Sequence, residues 1–261
     1  GMDRYNVKLS GEAQLHDNWT TGFNGNFVTS KIKKQGTAND GVTATVYTAP
    51  ISYTMAGIPS HIEGDPYTQN TFRENWIDDG NWACDNNSFT ERSQRFFGNA
   101  FLKYSTKFGT DNHKLDVKYQ LGTDAYTTNY TDLWGYGHSN GTGQVEENIY
   151  TVNEVNSLFT ANYDWKITPE FDMNILVGNE FVNKTTKHSY TYGSNFNFPD
   201  WNNMGNASAY SALSEYFKER TVGNFANLSL SYRSMVYLNA TVRNDRVSTM
   251  PRNHRSFTYP S

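Results

Sequence analysis

Along residues 153–166 apolar side chains fall on every second position, at Val155, Phe159, Ala161, Tyr163 and Trp165, with Asn156, Thr160, Asn162 and Asp164 between them. A period of two is that of an extended strand with one apolar face. After Ile167-Thr168-Pro169 the rhythm resumes with Phe171, Met173, Ile175, Val177 and Phe181, set against Asp172, Asn174, Gly178 and Glu180. Two long strands joined by a short turn predict an antiparallel hairpin. Each run approaches or exceeds the ~9–11 residues that a tilted strand needs to cross a bilayer, and is well beyond the ~5–6 usual in globular strands. The hairpin is expected to belong to a large barrel.

The same signature recurs along the chain. Residues 4–15 place Tyr5, Val7, Leu9, Ala13 and Leu15 on one side and Arg4, Asn6, Lys8, Glu12 and Gln14 on the other, before His16-Asp17-Asn18 turns the chain. Trp19, Phe23 and Phe27 mark a second strand, and Phe96, Ala100, Leu102, Tyr104 and Phe108 a third. Leu115, Val117, Tyr119 and Leu121 mark a fourth; Val222 with Ala226, Leu228, Leu230 and Tyr232 a seventh; Val236, Leu238, Ala240 and Val242 an eighth. The expected fold is all-β, an antiparallel up-and-down transmembrane β-barrel segment of about eight long strands. Its connections alternate short and long, with long loops at about 33–93, 131–145 and 184–219. Outer-membrane barrels show this alternation, with short turns at one end and long outer loops at the other.

A soluble β-sandwich also alternates apolar and polar positions. Sandwich strands are shorter, however, and nothing in a sandwich requires every long loop to leave from one end. Trp19 and Trp165, both beside short turns, fit an interfacial aromatic girdle, although two core tryptophans at strand ends would read the same way.

Composition narrows the class. Aromatics make up 15% of the chain, with 18 Tyr and 16 Phe, yet hydrophobic residues reach only 36% and mean hydropathy is -0.73. Long one-faced strands fit that balance better than a thick two-sided core. No stretch approaches the ~20 consecutive apolar residues of a membrane helix, and the first residues, Gly1-Met2-Asp3-Arg4-Tyr5, lack a signal-peptide core. A net charge of -4 gives no electrostatic footprint for nucleic acid. The single cysteine, Cys84, excludes an intrachain disulfide framework.

Candidate chemistry is sparse. Gly135-Tyr136-Gly137 and Gly141-Thr142-Gly143 have strand pattern on both sides, so they are expected to form a flexible loop rather than a phosphate cradle. The histidines, His16, His61, His113, His138, His188 and His254, show no ligand spacing, and no metal site or cofactor is expected. Asp78, Asp79 and Asp85 are expected to be solvated loop carboxylates. No Gly-x-Ser-x-Gly elbow is present, and Cys84 has no histidine nearby to activate it, so no catalytic residue is expected. The Arg-rich stretch Arg243-Asn244-Asp245-Arg246 to Arg252-Asn253-His254-Arg255 fits either charge pairs on the wall of a wet lumen or a solvated basic loop. Aromatics outside the strand rhythm, Tyr67, Trp76, Trp82, Trp134, Tyr136 and Trp201, are the candidate substrate-binding residues, since exposed rings among Asn and Asp can hold sugars or extended peptides. Loop packing is the competing reading of the same rings.

Several stretches carry a family resemblance. They are Arg4-Tyr5-Asn6-Val7, then Ala56-Gly57-Ile58-Pro59 with Gly64-Asp65-Pro66-Tyr67, and Asn86-Asn87-Ser88-Phe89-Thr90-Glu91-Arg92 running to Arg95-Phe96-Phe97-Gly98-Asn99. The most specific is Arg243-Asn244-Asp245-Arg246-Val247-Ser248-Thr249-Met250-Pro251, with Asn253 and Arg255-Ser256-Phe257. Together they resemble the middle barrel of SusC/RagA-type TonB-dependent outer-membrane transporters of Bacteroidetes, over essentially the whole chain. Such barrels have roughly 22 strands around a plugged lumen, so the resemblance implies a partial barrel domain, residues 1–261, without counterparts of the plug, the TonB-contacting segment or a closing C-terminal strand. It further implies location in the bacterial outer membrane, in contact with its lipid, and import of oligosaccharides or peptides with a SusD-like surface lipoprotein outside and the TonB complex beneath. No catalytic residue carries over from the family. The alternative from another class is a surface or secreted β-domain that binds glycans without transport; a glycoside hydrolase would need a carboxylate pair across a cleft.

Overall fold

The computed structural model describes residues 1–37, 41–71, 77–138 and 141–261. Strands β1 (Met2–His16) and β2 (Trp19–Lys34) form the first hairpin. Between β2 and β5 lie two short helices, α1 (Val42–Thr48) and α2 (Gly80–Asn86), and a small hairpin of β3 (His61–Ile62) and β4 (Asp65–Gln69). The long strands then follow in sequence: β5 (Ser88–Phe108), β6 (His113–Trp134), β7 (Gln144–Thr168), β8 (Phe171–Phe196) and β9 (Ala207–Tyr232). The chain ends in β10 (Val236–Val247) and β11 (Ser256–Pro260). All but β3 and β4 lie in one antiparallel sheet ordered β1-β2-β5-β6-β7-β8-β9-β10-β11.

The register sorts side chains onto two faces. Leu115, Tyr163, Ile175, Leu228 and Ala240 are direct cross-strand partners in succession, as are Val7, Phe27, Phe96 and Ala125. Since partners across an antiparallel pair point the same way, the apolar phases of the strands merge into one surface. Val7, Leu9, Phe23, Phe159, Tyr163, Phe171, Ile175, Leu228 and Leu238 all lie on it. Among the described residues no second sheet covers it: Val7 is 67% exposed, Leu9 65% and Leu238 59%. From His113 to Ala125 the band extends about 40 Å along β6, or about 30 Å across a membrane at a tilt of ~40°. Beyond it, toward the loops, the same face turns polar at Lys31, Arg92, Asn129, Asn153, Thr185 and Arg220.

At the turn end the band closes in aromatics. Trp19 packs on Tyr104 with ring centroids 5.0 Å apart, and His113 stacks on Phe108 at 5.1 Å and Trp165 at 5.5 Å. The turns are short. Arg233 and Ser234 both have positive φ, as a primed two-residue hairpin turn requires, and Arg233 pairs with Glu170 of the neighbouring turn at 2.9 Å.

The opposite face is polar and carries ion pairs: Arg95 with Asp124, Lys114 with Asp116 at 2.7 Å, and Arg243 with Glu180 at 2.8 Å. Glycines on this face make room for rings, and Phe225 lies over Gly178 so closely that a Cβ there would meet its Cζ at 2.2 Å. Gly178→Ala is expected to cost about 1–3 kcal/mol through overpacking. Most of that loss should vanish in a Phe225→Ala background, as a double-mutant cycle in chemical unfolding would read.

Two loop boundaries differ from the sequence reading. The connection expected at 184–219 shrinks to 197–206, because β8 and β9 run on past the band with polar residues on both faces, as in Lys184-Thr185-Thr186-Lys187-His188. That expected at 131–145 likewise shrinks to 135–143. The connection expected at 33–93 runs from the end of β2 at Lys34 to the start of β5 at Ser88 and contains α1, β3, β4 and α2. Residues 256–260 form a further short strand on β10 that alternation did not indicate.

Candidate substrate-facing site

Antiparallel order brings the three long connections to the end of the sheet opposite the short turns. Polar contacts knit them together there. Gln69 Nε2 donates to Asp78 Oδ1 at 2.6 Å and to the Gly137 carbonyl at 2.9 Å, and its Oε1 accepts from the Asp79 amide at 2.7 Å. Asp78 Oδ2 also accepts from Asn87 Nδ2 at 3.2 Å and lies 2.7 Å from His138 Nδ1. The Gly135 amide in turn donates to Asn87 Oδ1 at 3.0 Å.

Asp78 and Asp79 are therefore not solvated loop carboxylates: they are 1% and 3% exposed. Asp79 caps α2, accepting from the Asn81 and Trp82 amides, and burial holds its carboxyl above the usual range against the lowering effect of those two donors. Asp85 is exposed. In the glycine-rich stretch Gly137 serves close packing, since it has φ +99 and a Cβ there would lie 2.1 Å from the Tyr67 carbonyl oxygen. Among the described residues no cluster of three or more His, Cys, Asp or Glu converges as a metal site, and no helix is long and apolar enough to cross a membrane.

The candidate aromatics divide. Trp82 is 0% exposed, its Nε1 donating to the Pro66 carbonyl at 3.2 Å, so it offers no face to a ligand; it is the core around which the first loop folds. Trp76 lies outside the described residues. Trp134, at the loop end of β6, packs edge-on against Phe89 at 5.3 Å, and its indole Nε1 is buried without a hydrogen-bond partner among the described residues. Tyr136 packs on the small cluster of Val145, Phe196 and Ala207, and meets Tyr67 edge-to-face at 5.5 Å.

Tyr67 links the first and third loops. Its hydroxyl donates to Asp200 Oδ2 at 2.6 Å, and that bond raises the hydroxyl pKa. Beside Asp200, Trp201 is 47% exposed and stacks on Phe198 at 5.5 Å and 11° between planes. Phe198, 50% exposed, was not singled out in the sequence; its place in Asn197-Phe198-Pro199-Asp200-Trp201, aromatic and next to proline, is the signal that marks it. Asn206, fully buried, holds this loop by donating to the Phe198 and Trp201 carbonyls at 2.7 and 2.9 Å. The structure thus brings together Tyr67, Tyr136, Phe198 and Trp201 over an ordered loop base. The Arg-rich stretch is partly a charge pair on the polar face: Arg243 bridges Glu180 and Asp245 at 2.8 and 2.9 Å.

No family model and no curated protein matches the sequence. Solved structures do match the fold. The RagAB peptide importer in its closed-closed state superposes with a TM-score of 0.77 at 18% identity, and another RagAB peptide transporter structure with 0.76 at 16%; each match covers 99% of this chain and 29% of the other. BauA, the ferric preacinetobactin receptor from Acinetobacter baumannii, matches with a TM-score of 0.50 at 14% identity, over 99% of this chain and 36% of the receptor. The chain therefore carries the fold of a SusC/RagA-type β-barrel segment and spans 29% of the RagAB chains it matches.

Proposed function

We propose that residues 1–261 form part of the barrel wall of a TonB-dependent nutrient transporter in the bacterial outer membrane, a non-enzymatic protein importing oligosaccharides or peptides. The observation that carries this reading is the exposed apolar band, one bilayer core tall, ringed by aromatics at the turn end and backed by a charged face. In water such a band is a cost, which weighs against the secreted glycan-binding alternative. The loop-end aromatics Tyr67, Tyr136 and Trp201, joined by Phe198, are the surface we assign to ligand, with a SusD-like lipoprotein closing over it and TonB engaging parts of the transporter beyond these residues. Similarity to RagAB, described as a peptide transporter, and to BauA, a ferric preacinetobactin receptor, supports the transport class.

The edges set what the segment does by itself. Among the described residues the outer edge of β1 and that of β11 have no partner in the sheet, and unpaired backbone in hydrocarbon costs several kcal/mol per group. Neighbouring strands must satisfy them. Expressed alone in outer membranes, the 261 residues are expected to show no energised oligosaccharide or peptide uptake, in contrast to a full-length transporter, and any residual ligand binding should fall on Trp201→Ala or Tyr67→Ala substitution. Uptake by these residues alone that collapses with the proton gradient would overturn the segment reading. Recovery of the protein in the soluble fraction would overturn the membrane reading.

A further inference from the structure

The apolar band has one gap. Leu9, Gly25, Gly98, Thr123 and Val155 are successive cross-strand partners, so in the middle of this row two adjacent positions carry no side chain. The result is a groove of ≈ 640 Å³ walled by Val7, Leu9, Phe23, Phe27, Phe96 and Leu121. Glycine is required at its floor, because a Cβ on Gly98 would lie 2.2 Å from the Asn24 carbonyl oxygen.

Two rungs from the Phe27–Phe96 pair toward the loops, the same face holds a second depression, of ≈ 460 Å³, with Thr29, Lys31, Arg92, Gln94, Thr127 and Asn129 around it. Lys31 and Arg92 are direct cross-strand partners and both are exposed. Like charges in that arrangement repel. Asp3 is the partner of Lys31 on β1, yet neither Lys31 nor Arg92 forms an ion pair among the described residues. Two cations placed together, flanked by Asp3 but held in no ion pair among the described residues, and ringed by hydroxyls and amides, leave a net positive site suited to a phosphate on a polar, sugar-sized headgroup.

The two depressions follow one another along the barrel wall. The Gly25–Gly98 rung lies two residues inside the loop-side end of the apolar band, which the Phe27–Phe96 rung marks, and Lys31 lies four residues beyond that end, about 10 Å along the membrane normal at a tilt of ~40°. Cations at headgroup depth stand above a slot in the outer half of the band, on the loop side of the barrel.

We infer that this composite groove binds one outer-leaflet glycolipid, with an acyl chain lying over Gly25 and Gly98 and a headgroup phosphate between Lys31 and Arg92. The inference rests on the outer-membrane reading above. A small glycerophospholipid headgroup would leave the ring of Thr29, Gln94, Thr127 and Asn129 largely unused, so a phosphorylated sugar is the better occupant.

The test uses the protein extracted from outer membranes in mild detergent and delipidated. It is titrated with phosphorylated lipid A, with phosphatase-treated lipid A and with phosphatidylglycerol, and bound lipid is read by native mass spectrometry. Phosphorylated lipid A is expected to bind about 30-fold more tightly than the dephosphorylated form, from two cations at the headgroup level. Lys31→Gln with Arg92→Gln should erase that difference, and Leu121→Trp, which fills the groove from an exposed position, should weaken both forms of lipid A. Equal binding of the two forms by the unaltered protein, unchanged discrimination in the double variant, or equal binding of phosphatidylglycerol would overturn the site. A protein in the outer membrane that fails to discriminate overturns this inference alone, whereas a protein absent from that membrane overturns the functional reading as well.

Discussion

Replacing Asp78 by Ala is expected to release the loop end of the barrel while leaving the strands folded. Asp78 is buried beneath the loops and accepts from Gln69 and Asn87 while lying 2.7 Å from His138 Nδ1, so one carboxylate ties the first loop, the start of β5 and the β6–β7 connection together. Its removal strands several buried donors at once. Each unsatisfied group costs about 1–3 kcal/mol, and breaking a buried charged contact about 3–5 kcal/mol, so a local loss of about 3–5 kcal/mol is expected. Hydrogen exchange should accelerate about 10²- to 4 × 10³-fold at amides of α2 and of residues 135–138, because local opening governs exchange there. Amides in the middle of β7 and β8, held by ladders on both sides, should not change. A uniform acceleration across the sheet would show instead that the loops support the barrel globally. Asp78→Asn, which keeps an acceptor oxygen, should retain part of the protection.

That hub was invisible in the sequence. Asp78-Asp79 reads as a solvated pair because local composition says nothing of a histidine brought back from position 138, and burial of a carboxylate is decided by partners distant in the chain. The same holds for Trp82, whose aromatic ring among Asn and Asp is as suited to a ligand as to a loop core; only packing places it at 0% exposure. The strands crossing the band were legible for the opposite reason. Where one face of the sheet is apolar and the other polar, the period-two signal is written directly into residues such as Phe159, Ala161, Tyr163 and Trp165. The signal fails where the environment becomes the same on both sides. Beyond the band β8 continues through Lys184-Thr185-Thr186-Lys187-His188-Ser189, polar on both faces, and the strand is held by its ladder to β7 and β9 rather than by an apolar pattern. At the loop site Trp201 stands out in the sequence as an aromatic outside the strand rhythm, whereas its stacking on Phe198, its dependence on buried Asn206 and the Tyr67–Asp200 bond do not, because all three are contacts made in space.

The same two-faced logic yields a sharp contrast between neighbouring residues at the centre of the band. Tyr119 lies midway between His113 and Ala125, is 46% exposed on the apolar face, and stands between Leu102 and Phe159. Gln120, the next residue, points to the polar face between Phe101 and Leu158. Arginine at the midplane of a lipid-facing strand costs about 2–4 kcal/mol, falling to about 0–1 kcal/mol near the interfaces. Tyr119→Arg is therefore expected to shift the folding equilibrium in lipid vesicles by about 30- to 1,000-fold toward the unfolded state, whereas Gln120→Arg should stay within about 0.5 kcal/mol of the unaltered protein. Moving the substitution along the same face supplies a depth scale: Asn129→Arg, beyond the band among polar residues, should cost only about 0.2–1 kcal/mol, from a like charge opposite Arg92. Guanidinium titrations of the three variants in vesicles, read by the fluorescence of the girdle tryptophans Trp19 and Trp165, would measure this ordering. Equal effects at 119 and 120 would mean that the apolar face does not meet hydrocarbon, and would return the sheet to the interior of a soluble assembly. A large effect at 119 with small ones at 120 and 129 would place Tyr119 in the hydrocarbon core and Asn129 beyond it, and so orient the sheet in the bilayer.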